Sequence, residues 1–339
     1  MEPPFPELDW HKPLPLHGWF LVAPSSQLKR GTVLTFDLPG LPLVVFRGED
    51  GAVRAVQAYC PHMGTHLAHS SVHGSSLQCP LHHWRFECGG SHGSPPGCAG
   101  PGAPAKLQPR PALRSYAVRE ACDAIWVTPR QEADAKPFPL FDGVSPESLL
   151  YKQGTPVFLR CPWQAVVANA FDLNHFQTVH ARALHGTPSI DDQGHRLEFK
   201  YMSKVTGNEL ADRIMRKVSG NAIDVTIHCW EGSVLTVKTR TQRRETFLWL
   251  SFLPAEGGTI VKPLYAVPRG SAPLLSRLRV QVAGWLFHAF LKKDIRILEG
   301  MRFSPKVTPE EDPYLCKYLS FAARQGSGSI PQPHSPQPL

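Results

Sequence analysis

Two short loops in the first quarter of this 339-residue chain constrain it most: Cys60-Pro-His62-Met-Gly64 and Cys79-Pro-Leu-His82. Sixteen residues separate His62 from Cys79. Each loop offers one thiolate and one imidazole, and both groups are ligands for iron and zinc. Two Cys and two His suit a [2Fe–2S] centre in which imidazoles replace thiolates on one iron. The thiolates then hold an inner iron and the imidazoles an outer one. Structural zinc also accepts this set, although zinc modules more often take like ligands from one C-x₂₋₄-C knuckle. His66, His69, His73, His83 and His92 lie close by, lack the motif positions, and read as loop or surface histidines.

The rest of the composition sets the frame. Apolar residues make up 42% and exclude bulk disorder, while 34 prolines argue against a long bundle and for short strands and loops. The start, MEPPFPELDWHK, has no basic and apolar leader pattern, and the eight cysteines are scattered, so a reducing cytoplasm is expected. Short β-rich runs occur at Val33–Phe36, Leu43–Phe46, Val53–Ala58, Trp84–Phe86, Leu113–Val118 and Ile125–Val127, with a hairpin turn at Arg47–Gly51. Cys88–Ala112, where 12 of 25 residues are Gly or Pro, reads as an irregular excursion; Cys88 and Cys98 are read as free thiols in it. A boundary is expected near Pro129–Pro146. Beyond it, Trp163–Leu184 reads as a helix. Strands follow at Leu197–Tyr201, Ala222–Cys229, Val234–Thr239, Thr246–Phe252 and Thr259–Val267, then a late helix from Leu275 to Phe303. The order suggests an all-β domain followed by an α+β domain, and the tail from Gln325 to Leu339 lacks a core-forming pattern.

The first two loops closely resemble those of the Rieske family, down to Gly64 after the first His and Trp84 after the second. Respiratory members carry an extra Cys in each loop; here Thr65 and Leu81 stand in those places, which points to the ferredoxin and oxygenase kind. A ferredoxin needs only about the first third of this length. The remainder contains Asp172-Leu-Asn-His175-Phe-Gln-Thr-Val-His180. Alone, H-x₄-H is weak evidence, because five residues turn a helix by about 140° past full register, so both rings reach one ion only if the helix breaks between them.

After a Rieske motif, however, D-x₂-H-x₄-H resembles the catalytic domain of Rieske non-haem iron oxygenases. The resemblance implies a Rieske domain over residues 16–130 and a helix-grip-like α+β catalytic domain over 140–324, followed by a disordered tail over 325–339. It makes Cys60, His62, Cys79 and His82 the [2Fe–2S] ligands and His175 and His180 ligands of a mononuclear Fe(II). Asp172 becomes the bridge that carries an electron from a neighbouring subunit's cluster. It implies a third, carboxylate ligand on the late helix; Asp294 is preferred there and Glu299 is the alternative, with Asp191, Asp192 and Asp224 in less suitable contexts. The family pattern further implies a homotrimer.

No nucleotide-binding G-x-G-x-x-G and no second ferredoxin-type Cys set occurs, so electrons are expected from a separate NAD(P)H-dependent reductase, with or without a ferredoxin. The net charge of +8 fits an acidic partner, with Arg213–Lys217, Arg240–Arg244 and Lys292–Arg296 the richest basic stretches. No nucleic-acid motif is present. The sequence around His62 and His175 looks most like the branch of 3-ketosteroid 9-hydroxylase oxygenases and cholesterol 7-desaturases. This implies O₂-dependent hydroxylation, or demethylation or desaturation, of a bulky apolar substrate such as a steroid or other isoprenoid. Aromatic-acid monooxygenation or O-demethylation is the runner-up. A Rieske electron-transfer protein with an inactive second domain stands outside the enzyme class. Pro273–Leu291, apolar with basic flanks, reads as a core helix before a membrane-surface helix.

Overall fold

Alternating apolar residues and tight turns build ten strands among the described residues of the N-terminal third: β1 (Phe20–Pro24), β2 (Val33–Leu38), β3 (Leu41–Arg47), β4 (Val53–Gln57), β5 (Ser71–His73), β6 (Ser76–Gln78), β7 (Arg85–Glu87), β8 (Ser115–Tyr116), β9 (Val118–Ala121) and β10 (Ala124–Val127). This computed structural model describes residues 8–87, 112–219, 222–242 and 244–326. Cys88, His92 and Cys98 lie outside those residues, as does the tail from 327 onward. The chain divides into two compact units, Trp19–Pro137 and Met1–Gly18 with Phe138–Leu339.

In the first unit the strands pair antiparallel in three small sheets, β1-β10-β9, β2-β3-β4-β8 and β5-β6-β7. Val44, Phe46, Val56, Leu67, Leu77 and Phe86 form a core from the second and third sheets, and Cys60 and Cys79 are part of it. The Arg47–Gly51 turn joins β3 to β4 as expected, with Gly51 N–H donating to Gly48 O.

The second unit is α+β. Its strands are β11 (Leu149–Gln153), β12 (Val157–Leu159), β13 (Arg182–Asp192), β14 (Arg196–Val205), β15 (Ile223–Trp230), β16 (Val234–Arg240), β17 (Glu245–Ala255) and β18 (Gly258–Pro268). They form one antiparallel sheet in the order β11-β18-β17-β16-β15-β14-β13, with β12 also paired to β18. Both faces are covered, so the central strands read as nearly continuous apolar runs. One face packs around Trp163, Phe171, Phe199 and Tyr318, where Phe171 and Tyr318 stack at 4.9 Å. The other face carries Ile227, Val237, Leu248 and Tyr265, neighbours across consecutive strands, and lines a cavity.

The helices differ from expectation in four places. Trp163–Leu184 is not one helix but α1 (Trp163–Ala168), α2 (Leu173–Thr178) and the start of β13. The break has a local cause. Asp172 is extended, and its carboxylate accepts the His175 N–H at 2.9 Å, so it caps a new helix and does not continue the old one. A helix α3 (Leu210–Ser219) appears where none was read. The late helix α4 runs Pro273–Leu298 and stops short of Phe303, because Glu299 turns extended. A further helix α5 (Pro313–Gly326) reaches the first two residues of the expected tail.

Candidate metal centres

The two Cys-His loops are built alike. Cys60 N–H donates to Thr65 O and Gly64 N–H to Cys60 O, both at 2.9 Å. In the second loop Cys79 N–H donates to Trp84 O at 2.9 Å and His83 N–H to Cys79 O at 3.1 Å. Each turn therefore puts the fourth residue after its Cys into left-handed backbone: Gly64 at φ +73°, His83 at φ +56°. Glycine takes that conformation without steric cost; His83 does not, and its Nδ1 lies 2.8 Å from Gln78 Nε2.

Both cysteines are buried and both histidines exposed. The His62 and His82 rings lie 4.8 Å apart, and His62 stacks on Trp84 at 4.1 Å. Burial pushes the Cys60 thiol up and the adjacent Cys79 adds to it, so paired thiolates here need a cation. The four side chains suit a cluster better than one ion. Around tetrahedral zinc all ligand atoms lie about 3–4 Å apart. Among the described residues, the metal-competent groups with ligand atoms all within 4.8 Å contain none of these four. Two irons need a wider spread than one zinc. The neighbouring histidines have other partners: His66 Nδ1 accepts the Ala68 N–H at 3.1 Å and His73 meets Ser71.

The second centre draws on three elements. α2 presents His175, the bend after it turns His180 back, and α4 supplies Asp294. His175 Nε2 lies 3.0 Å from His180 Nε2 and 2.9 Å from Asp294 Oδ1, and His180 Nε2 lies 2.8 Å from the same oxygen. A proton serves two of three such atoms, not all three. Ligands on one face of an octahedron, each about 2.1 Å from the ion, are themselves about 3 Å apart, so this triangle fits a facial 2-His-1-carboxylate iron site. Burial would raise the Asp294 carboxyl, but the two imidazoles prevail and hold it below the ordinary range. Burial lowers His180, which keeps its ring neutral and able to ligate. Phe290 stacks on the His180 ring at 3.6 Å, and Arg182, paired to Asp212 at 2.8 Å, donates to His180 O at 3.0 Å.

Glu299 is elsewhere, paired to Arg160 at 3.4 Å at the end of α4. Asp191, Asp192 and Asp224 engage Gln193, Arg324 and Arg240. Asp172 caps α2 and is not among the three converging groups. A second compact group, Asp142, Glu198 and His228, has Arg196 and Lys200 on its carboxylates and is an ion-pair network. Sequence reasoning passed over Arg182, Asp212 and the role of Phe290. Phe290 precedes Asp294 by four residues, one helical turn, which was the available signal.

The triad sits in the wall of a cavity of about 860 Å³, formed by the inner sheet face, α3 and α4. Val225, Val237, Leu250, Leu286 and Phe290 give it a mostly apolar lining.

Residues 18–116 match the family model of the Rieske [2Fe-2S] domain. The chain is similar to cholesterol 7-desaturase of Bombyx mori, 34% identical over 201 residues that cover 58% of this chain and 39% of the relative. It is also similar to a probable 3-ketosteroid-9-alpha-monooxygenase oxygenase component of Rhodococcus rhodochrous, 30% identical over 173 residues, 48% of this chain and 41% of the relative. The chain thus spans about two fifths of the length of these relatives. Among solved structures, dicamba monooxygenase bound to dicamba superposes with a TM-score of 0.66 at 18% identity, covering 91% of this chain and 97% of that one. That match extends the shared fold through both units.

Proposed function

From a chain that carries a Rieske [2Fe–2S] domain and the fold of a Rieske monooxygenase, we propose a terminal oxygenase that acts on a bulky apolar substrate, with a steroid as first candidate. One observation carries the reading: His175, His180 and Asp294 converge within hydrogen-bonding distance in the wall of an apolar cavity. Its volume lies within the range of about 300–1,000 Å³ typical of sites that enclose drug-sized ligands. The names of the two steroid-acting relatives point to the same substrate class.

Each group then has a task. Cys60 and Cys79 hold the inner iron of the cluster, and His62 and His82 hold the outer one at the surface. His175, His180 and Asp294 hold the mononuclear Fe(II), which supplies dioxygen activation when bound. Phe290 covers one face of His180 and keeps water from it, while Arg182 fixes the backbone behind that ligand. Sheet and helix side chains bind and orient the substrate by apolar contact. Asp172 is assigned as the bridge to a neighbouring subunit's cluster within a homotrimer. Electrons come from a separate NAD(P)H-dependent reductase, with a ferredoxin where the reductase requires one. A reducing cytoplasm suits the buried thiols at Cys161, Cys229 and Cys316.

The test is anaerobic loading with Fe(II) and sulfide, then turnover of cholesterol, a 3-ketosteroid and an aromatic acid with a surrogate reductase. O₂-dependent oxidation of a steroid is the expected result. Oxidation of the aromatic acid alone moves the substrate to the runner-up class. No oxidation of any, with both metals loaded and the cluster reduced, leaves an electron carrier.

A further inference from the structure

Helix α4 is apolar on two sides. Its inner side packs on β18 and β11, and Gly284 brings it so close that an added Cβ would sit 3.3 Å from the Tyr265 ring. On its outer side Leu274, Leu278, Val282 and Trp285 follow at spacings of four, four and three, which places them on one face. They are 79%, 59%, 39% and 46% exposed. A helix at a protein surface normally turns polar residues outward, and a continuous apolar stripe there marks an interaction site.

Two further observations say what covers it. The helix itself is basic beside the stripe: from Pro273 to Lys293 it carries Arg277, Arg279, Lys292 and Lys293, of which Lys293 pairs with Glu209 at 3.0 Å, and its first acid is Asp294 in the triad. Leu275, Leu278, Arg279 and Val282 also line the cavity, and three of these are among the exposed large apolar residues. The stripe therefore borders the open side of the cavity.

We propose that the outer face of α4 docks on the surface of an anionic lipid bilayer, its axis in the membrane plane, and that the cavity takes its substrate from that bilayer. Apolar side chains on one face with basic residues beside them are what an interfacial helix needs. No helix among the described residues is long and apolar enough to cross a membrane. A second copy of this chain fits less well, because a two-fold contact through α4 would set Arg277 and its basic neighbours against their own copies. Substrate delivery rests on the oxygenase reading; adsorption to the bilayer does not.

The test uses the metal-loaded protein, vesicle sedimentation and light scattering, and no substrate. Vesicles are phosphatidylcholine alone or with about 30% phosphatidylserine. The variants are Leu274→Gln with Trp285→Gln, and separately Arg277→Glu, all positions outside the cavity lining. Wild-type protein is expected to sediment with the anionic vesicles. The double variant should lose about tenfold or more in affinity, since two large apolar side chains no longer leave water. Arg277→Glu should lose about tenfold on anionic vesicles and little on neutral ones. An unchanged visible cluster spectrum and unchanged far-ultraviolet circular dichroism show that the fold is intact. Wild-type protein left in the supernatant, or a double variant that binds as well as wild type, overturns the proposal. So does a double variant whose main change is a smaller oligomeric mass, which would make the face a subunit contact.

Discussion

The two candidate metal centres are built in opposite ways. At the first, the thiols are buried and the imidazoles exposed, so one edge of the site meets the surface. At the second, all three candidate ligands are buried at a cavity wall, and an aromatic ring covers one of them. Electron transfer needs an edge that another protein or another centre can approach. Oxygen chemistry needs ligands that water does not reach and a pocket that positions a substrate. The contrast also lies in how far along the chain each site reaches. The first uses two loops with the same backbone turn, close together in sequence. The second joins His180 to Asp294 across 114 positions.

The sharpest way to break this division is to empty one centre at a time. Asp294→Ala is expected to leave the visible cluster spectrum intact while the mononuclear iron and all product are lost. The loss should exceed the about 10–100-fold that removal of an outer partner costs. Cys79→Ser should do the reverse, abolishing the chromophore and its acid-labile sulfide while His175, His180 and Asp294 still take up Fe(II). Metal and sulfide analysis reads both. If tightly bound zinc replaces iron and sulfide at Cys60 and Cys79, the first centre is structural and the contrast collapses.

The next effect concerns the link between the centres. Within the chain Asp172 caps α2 through the His175 N–H. Asn caps a helix nearly as well as Asp, whereas Ala caps poorly. Asp172→Asn should therefore keep α2 and both metals, yet slow reoxidation of the prereduced cluster by substrate and O₂ about 10–100-fold. Asp172→Ala should in addition lower stability by about 1 kcal/mol. Stopped-flow absorbance reads the first effect and denaturant titration the second. If the Asn variant reoxidises at the wild-type rate with both metals loaded, Asp172 is a cap and nothing more.

How much of each centre could be read in the sequence follows from the same contrast. Cys60, His62, Cys79 and His82 declare themselves because spacing within a loop fixes geometry. The strands from Leu197 to Val267 were also legible, since their apolar runs are long. The region after Trp163 misled, because its composition suits a helix while one carboxylate, Asp172, ends the matter by capping a new one. α5 was missed although Asp312 followed by Pro313 is a sound helix start, and Asp312 Oδ1 does accept the Leu315 N–H at 2.9 Å. The cavity was out of reach: its wall comes from alternate residues of several strands, and only the register shows which face they share.

A smaller effect tests how the buried centre excludes water. The Phe290 ring lies nearly parallel to His180, with 6° between the planes. Phe290→Leu keeps apolar bulk but loses the flat cover. Iron affinity is expected to fall about tenfold, within the range for groups that orient a metal-bound histidine. The cluster spectrum should not move. Equilibrium dialysis of Fe(II) against a competing chelator measures it. An unchanged affinity would mean that Arg182 alone holds His180 in place.

The smallest expected effect lies in the first unit, where Arg47 ties four segments together. Its guanidinium donates to Leu28 O, Ser25 O and Gly51 O and reaches both Glu120 oxygens, at 2.8 and 2.7 Å. The hydrogen-bonded Arg47 holds the Glu120 carboxyl below its ordinary value of 4.5, outweighing burial. A group whose folded value is depressed adds stability that is full above the unfolded value and disappears as pH falls through the folded one. Glu120 is partly exposed, so the pair contributes no more than about 1 kcal/mol. Glu120→Gln should therefore lower the denaturant midpoint of cluster loss slightly at pH 7, and the gap to wild type should close as the pH falls below 4.5. Salt should shrink the gap as well, because the carboxylate is within reach of solvent. A gap that persists in acid would show that Glu120 acts by packing and not by charge. The surface-edged centre would then owe its frame to the same apolar contacts that build the buried one.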